Sequence, residues 1–66
     1  MEYDKDADAL YIKLKNGKIK STMEVDENTI IDLDESNNII GIEILFIKER
    51  NPNFIKKLQD ENLISI

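Results

Sequence analysis

The chain has no cysteine, no histidine and no tryptophan, and only one proline and two glycines. Without cysteine it offers neither a disulfide nor a thiolate metal ligand. Without histidine it lacks the commonest general base and transition-metal ligand. No apolar run approaches the roughly 20 residues that span a bilayer, and no basic region followed by an apolar stretch opens the chain. We therefore expect a soluble, cytoplasmic protein without cofactor, metal or catalytic centre.

Length and charge narrow the possible partners. A chain of 66 residues makes one small domain, 1–66, and such a domain buries only about 60% of its unfolded surface. Small domains usually gain stability from disulfides, metals or a second chain, so by elimination we expect association, most simply as a homodimer. The net charge of −5 repels phosphate backbones and disfavours stand-alone nucleic-acid binding.

Apolar and polar residues alternate with period two through most of the chain, which is typical of strands with one buried face. The pattern predicts four strands, over residues 10–15, 18–25, 29–34 and 39–47. Asn16-Gly17 lies between the first two and favours a type I′ hairpin turn. The result is an antiparallel β-meander with these opposed pairs: Leu14 with Ile19, Ile12 with Ser21, Leu10 with Met23, Met23 with Ile31, Ser21 with Leu33, Ile31 with Ile42, and Leu33 with Ile40.

One face of this sheet is apolar and has to be covered. Its residues are Leu10, Ile12, Leu14, Ile19, Met23, Val25, Ile31, Leu33, Ile40, Ile42, Ile44 and Phe46. Asn51-Pro52 reads as an N-cap followed by proline at the first helical position, and Phe54, Ile55 and Leu58 then form one stripe of a helix. The predicted fold is therefore α+β, a four-stranded antiparallel meander with one C-terminal helix packed on one face.

Three segments of the sequence resemble a known family. They are Tyr-Asp-x-x-Ala-Asp-Ala-Leu-Tyr-Ile from Tyr3, Ile31-Asp32-Leu33-Asp34, and Gly41-Ile42-Glu43-Ile44-Leu45. From residue 3 to about residue 46 the chain resembles the domain of unknown function 2283 family. Relatives have a longer first strand, of which this chain keeps only residues 1–3, and the predicted sheet leaves that segment out. The family has no established activity, but some members are suspected antitoxins because they are encoded beside small toxin-like genes. The resemblance thus implies a protein-binding role.

The acidic residues near the start of the chain could bind a metal ion or could stabilise a turn. Asp4, Asp6 and Asp8 have the spacing of the first ligands in a calcium loop, but Ala9 and Lys15 occupy the positions where that loop needs glycine and glutamate. We favour a turn in which Asp4 accepts backbone N–H bonds and Asp8 supports the start of the strand.

Two further charged groups have alternative readings. Asp32, Asp34 and Glu43 fall on the outer face, where carboxylates suit magnesium; we favour charge pairing across strands, with Lys20 opposite Asp34. The meander also places Lys13 opposite Lys20 and Lys15 opposite Lys18. Like charges in opposed positions are unfavourable, so these lysines indicate either a protected sheet edge or a basic patch for an acidic partner.

The last predicted strand is apolar on both faces. Its surplus apolar residues join others on the outer face to give a candidate interface, namely Tyr11, Ile30, Ile39, Leu45 and Ile47. The alternative is that a terminal segment folds over them. We expect no enzyme, because no histidine activates a serine. The predicted function is a small protein-interaction module, antitoxin-like by resemblance and with a possible heterologous protein partner; the alternative is a self-associating structural domain without independent activity.

Overall fold

The computed structural model describes residues 1–64 and contains five strands and two helices in α+β arrangement. In chain order these elements are β1 (Glu2–Asp4), β2 (Ala9–Lys13), β3 (Ser21–Asp26), β4 (Thr29–Leu33), β5 (Ile39–Leu45), α1 (Ile47–Arg50) and α2 (Pro52–Asp60). The antiparallel sheet and the C-terminal helical segment are as predicted. The strand count and the helix count were each one too low, since β1 and α1 were missed.

The strands do not form a simple meander. The order across the sheet is β1-β2-β5-β4-β3, in which β3, β4 and β5 are joined by hairpins and β2 lies beside β5, as in a Greek key. Leu10 is opposite Ile44 and Ile12 is opposite Ile42. The predicted pairing of β2 with β3 is therefore wrong, and with it the pairs Leu14–Ile19, Ile12–Ser21 and Leu10–Met23.

Two features of the sequence explain the observed order. The strand with apolar residues on both faces, β5, becomes the central strand with neighbours on either side, whereas the meander would have left it at an edge. The meander would also have placed Lys13 opposite Lys20, an unfavourable contact of like charges. In the Greek-key order Lys13 lies opposite Gly41 instead.

The segment between β2 and β3 runs along one end of the sheet. The N–H groups of Leu14 and Lys15 both donate to the Ile40 carbonyl (2.9 and 3.2 Å), and the Lys20 N–H donates to the Leu33 carbonyl (2.8 Å). Asn16 does not have positive φ, and Gly17, with φ of 159°, is nearly extended. A type I′ turn needs the left-handed region at both positions, so the predicted Asn16-Gly17 hairpin is a crossing connection.

The other hairpins largely follow prediction. Met23 lies opposite Ile31, Ser21 opposite Leu33, and Ile31 opposite Ile42. The predicted pair of Leu33 with Ile40 is wrong, because a bulge in β5 places Leu33 opposite Ile39. Ile40 is the extra residue of the bulge, and its carbonyl accepts the two bonds from the crossing connection.

The chain leaves the sheet at Phe46, which has φ of 56° and ψ of 34°. This left-handed residue is the N-cap of α1, so Ile47 belongs to a helix and not to the end of a strand. The second helix begins as predicted, with Asn51 at the N-cap and Pro52 at its first position.

The helices cover only part of the predicted apolar face. The buried core cluster comprises Leu10, Ile47, Ile55, Leu58 and Ile64, with Tyr3, Ile12 and Ile44 packed against it. The predicted core residues Leu14, Ile19, Met23 and Val25 are instead half exposed, as are Phe46 and Phe54. The molecule is correspondingly flat, with principal extents of 36 × 24 × 16 Å. No helix within residues 1–64 has the length and apolar character needed to cross a membrane.

Candidate functional site on the outer sheet face

The face of the sheet opposite the core cluster carries a row of alternating acidic and apolar or aromatic residues. Opposed residues in an antiparallel sheet share a face, and the pairings connect all five strands in the order Glu2, Tyr11, Glu43, Ile30 and Glu24. We call this the Tyr11 row. Tyr11 thus lies between Glu2 and Glu43, and Ile30 lies between Glu43 and Glu24.

Tyr11 lies across the sheet on Gly41. A Cβ atom built on Gly41 would be 2.2 Å from the Tyr11 hydroxyl and 2.8 Å from Cζ, with Asp32 Oδ2 at 3.1 Å. The phenol therefore occupies the space that any other side chain at position 41 would take. Its hydroxyl reaches β4 beside Asp32, so one aromatic side chain spans three strands.

Beside this ring is an open cleft of about 390 Å³, which we call the outer cleft. It is lined by Glu2, Tyr3, Asp4, Ala7, Ala9, Tyr11, Glu43 and Leu45. Ala9 lies opposite both Asp4 and Leu45, and because its side chain is small and buried it leaves room above the sheet. Three of the lining residues carry carboxylates, and none carries a cationic side chain.

The electrostatic environment of the Tyr11 phenol is negative. Burial raises its pKa, as do the interaction with the Asp32 carboxylate and the negative charges of Glu2 and Glu43. Each of these causes favours the neutral phenol, so Tyr11 stays protonated at physiological pH and serves as a hydrogen-bond donor. This surface can attract a cation and stack against an apolar or cationic group. The lining contains no serine, threonine, cysteine, histidine or lysine side chain.

The wall of the cleft formed by β1 is fixed by Asp8. The Tyr3 hydroxyl donates to Asp8 Oδ1 (2.6 Å), and the backbone N–H groups of Lys48 and Glu49 donate to Oδ1 and Oδ2 (2.8 and 3.0 Å). Asp8 thus connects β1 to the first turn of α1, whose N–H groups would otherwise lack partners. It does more than support the start of β2, which was its predicted role.

Both partners of this contact have shifted pKa values. Burial, the hydrogen bond to Asp8 and the negative charges of Asp8 and Asp4 raise the pKa of Tyr3 to about 12. Burial also tends to raise the pKa of Asp8, but the hydrogen bonds from Tyr3, Glu49 and Lys48 outweigh it and leave the pKa below its usual 3.8. A neutral phenol and an ionised carboxylate therefore coexist at neutral pH.

The calcium-loop spacing is a turn in the structure. Asp4 Oδ1 accepts the N–H groups of Asp6 and Ala7 (3.0 and 3.2 Å), which confirms the turn predicted for Asp4, while Asp8 faces α1. Asp34 makes a similar turn by accepting the N–H groups of Ser36 and Asn38 (both 2.9 Å). Within residues 1–64 no three acidic side chains are grouped as metal ligands.

The structure brings three of the five predicted interface residues together. Tyr11, Ile30 and Leu45 share the outer face and are half buried. Ile47 does not, since it is 4% exposed in the core cluster. Ile39 is exposed, but the bulge sets it opposite Leu33 instead of in line with Gly41. The prediction placed both on the outer face because it treated residues 39–47 as one regular strand.

Sequence reasoning missed the parts of the site that depend on strand order. Glu2, Asp4 and Ala9 belong to it because β1 pairs with β2. Glu43 was predicted on the outer face, but its position beside Tyr11 depends on the pairing of β5 with β2. One signal was available in Gly41, a glycine in a strand interior, which often marks a close approach by another group.

Comparison with known proteins identifies the family but not a function. No curated protein and no solved structure matched the chain. The family model for a protein of unknown function, DUF2283, matches residues 1–48 of the 66, which includes all five strands and the start of α1. The resemblance noted from the sequence motifs is thereby confirmed: the chain belongs to the DUF2283 family.

Proposed function

We propose that the protein is an interaction module whose outer cleft binds a basic segment of another protein, with an arginine or lysine side chain over Tyr11. The observation that carries the proposal is the position of the Tyr11 ring, which lies on Gly41 between Glu2 and Glu43. The hydroxyl end of the ring lies over Gly41, and the side chain lines the cleft.

Cations interact favourably with the face of an aromatic ring, by about 0.5–1 kcal/mol at exposed sites. Here Glu2, Asp4 and Glu43 add negative charge on the cleft walls. Arginine suits this geometry because its planar guanidinium both stacks on a ring and pairs with a carboxylate. The net charge of −5 would also attract a basic partner at long range.

The size and lining of the cleft favour a peptide segment. Its volume of about 390 Å³ suits one or two side chains, and Ala9 and Leu45 supply an apolar floor. The antitoxin-like role implied by the resemblance would be one case of this function, in which the basic partner is a toxin. The proposal includes no catalytic step.

The test uses a short peptide containing two arginines and its analogue with citrulline, which keeps the shape but lacks the charge. Amide NMR spectra of the ¹⁵N-labelled protein should show shifts at Tyr11, Glu43 and Leu45 with the arginine peptide only. Equal shifts with both peptides, or shifts confined to other residues, would contradict the proposal.

Substitutions then test whether the Glu43 charge and the Tyr11 ring contribute to binding. Glu43→Gln should weaken binding about two- to fivefold, as loss of one exposed ion pair does, whereas Glu35→Gln, the same change in the exposed loop between β4 and β5, should not. Tyr11→Phe should retain binding and Tyr11→Leu should lose it. If Glu35→Gln weakens binding as much as Glu43→Gln, the attraction comes from net charge and not from the cleft.

A further inference from the structure

The inference concerns β3, which forms one edge of the sheet. All six of its residues are exposed, and within residues 1–64 its outer edge has no strand beside it. Ile19, Met23 and Val25 are 50%, 49% and 59% exposed. Such an edge offers unpaired backbone N–H and C=O groups to another strand.

The side chains around this edge have a self-complementary order. On either side of Thr22 the sequence reads Lys18-Ile19-Lys20-Ser21 and Met23-Glu24-Val25-Asp26. At two, three and four residues from Thr22 the matched residues are a lysine and an acid or two apolar residues, and at one residue Ser21 matches Met23. Lys20 matches Glu24, Ile19 matches Val25, and Lys18 matches Asp26.

We propose that two copies of this chain associate through antiparallel pairing of β3 with β3, about a two-fold axis centred on Thr22. Lys20 of each copy then lies opposite Glu24 of the other on the outer face. Opposite charges in such cross-strand positions are stabilising. On the other face Met23 lies beside Ser21 of the second copy, which covers an exposed apolar side chain. The two sheets become one sheet of ten strands.

The charges also select the register. Opposed residues of a continuous antiparallel sheet share a face, so the axis must be centred on a residue and not between two. Centring it on Lys20 would oppose lysine to lysine, and centring it on Glu24 would oppose glutamate to glutamate. Centring it on Ser21 would oppose only Lys18 to Glu24, and centring it on Met23 would oppose only Lys20 to Asp26, whereas Thr22 gives both Lys20 with Glu24 and Lys18 with Asp26.

The length of the contact follows from the β3 backbone. Regular pairing with β4 runs through Ser21, Thr22, Met23 and Glu24, and a bulge follows at Val25. The lysine-rich start and the bulge limit the second pairing to a few residues. Lysines and bulges also protect edges from association, so a strictly monomeric protein is the outcome that would contradict the proposal.

The experiment is a charge exchange measured by sedimentation equilibrium from micromolar to millimolar concentration. The parent should dimerise. Lys20→Glu and Glu24→Lys should each weaken association about tenfold or more, because each places like charges opposite one another twice per dimer. The double variant Lys20→Glu/Glu24→Lys restores opposite charges and should restore the dimer. Lys56→Glu, on the exposed side of α2, is the matched control and should not change association.

Each other result contradicts the proposal. If the parent is monomeric at every concentration, the lysines and the bulge protect the edge of β3 from association. Single variants that stay dimeric show that another surface is used, and Leu45→Lys then tests the outer face. A double variant that remains monomeric rejects the register. Far-UV circular dichroism of each variant checks that the fold is retained. Because Lys20 and Thr22 lie outside the outer cleft, none of these results decides whether the cleft binds a basic segment.

Discussion

The two halves of the sheet differ in how their apolar residues are covered. In the half formed by β1, β2 and β5, the helices pack on the sheet, and Leu10 and Ile55 are 1% and 2% exposed. In the half formed by β3 and β4 the covering ends at β4, since Ile31 is 9% exposed whereas Met23, opposite it on the same face of β3, is 49% exposed. We call these the covered half and the open half.

The comparison shows that residues on one face of the sheet need not all belong to the buried core. Met23 lies opposite Ile31 and Ile31 opposite Ile42, so these residues follow one face of the sheet, as the alternating pattern predicts. Only nine residues form α2, and a helix of that length, about 14 Å long, covers part of a five-stranded sheet. Stability should therefore come mainly from the covered half, and association surfaces should lie in the open half and on the outer face.

The largest expected effect tests this division in the core. Leu10→Ala removes a buried side chain under the helices and should lower the free energy of unfolding by about 2–5 kcal/mol, enough to unfold much of so small a domain. Met23→Ala, in the open half, should change it by about 0.5 kcal/mol or less. Urea titration at a protein concentration too low for dimerisation measures both. Similar losses for the two variants would mean that the open half is packed as tightly as the covered half.

A smaller effect should appear at Asp8, which ties β1 to α1 on the covered half. Asp8→Asn keeps a side chain that tolerates the φ of 51° found here but weakens the hydrogen bonds to the α1 N–H groups. We expect a loss of about 1 kcal/mol at pH 7, as for other helix caps. Asp6→Asn is the control, because the Asp6 backbone but not its side chain takes part in the turn. Equal effects of the two substitutions would show that general charge, not the cap, is responsible.

The stabilisation that Asp8 provides should depend on pH in a defined direction. Because its folded pKa lies below the usual 3.8, the stabilisation from the ionised carboxylate is present above about pH 4 and disappears as the pH falls through the folded pKa. The difference in stability between the parent and Asp8→Asn should therefore shrink from pH 7 to pH 3. A difference that is constant over this range would mean that the charge of Asp8 does not contribute.

The elements of the fold were more predictable than their arrangement. Period-two alternation located β3, β4 and most of β2 and β5, and Asn51-Pro52 located the start of α2. Strand order depends on which apolar faces meet in three dimensions. Asn16-Gly17 favours a local hairpin, but burial of the central strand β5 favours the observed order more strongly. The unfavourable pairing of Lys13 with Lys20 was the sequence feature that argued against the meander.

The candidate site was predictable in its aromatic and apolar residues and in the outer-face position of Glu43. Tyr11, Ile30 and Leu45 follow from the alternation within their own strands. The carboxylates around Tyr11 belong to β1 and β5, which become its neighbours only through the observed strand order. Ile47 was misplaced because the left-handed conformation of Phe46, a non-glycine residue, has no strong sequence signal.

The smallest expected effect is that of a substitution at Asn16, which we compare with substitutions at Asn37, in the other loop at the same end of the sheet. Asn37 has φ of 64°, and its N–H donates to the Asp34 carbonyl (3.1 Å) in the β4–β5 turn. Alanine resists this left-handed conformation, so Asn37→Ala should lower stability by about 1 kcal/mol, while Asn37→Gly should lower it less because glycine has no Cβ. Asn16 lacks positive φ, and Asn16→Ala should change stability by about 0.5 kcal/mol or less. Urea midpoints of the three variants make the comparison. A loss at Asn16 as large as that at Asn37 would indicate that residues 14–20 form the type I′ hairpin after all, with β2 beside β3.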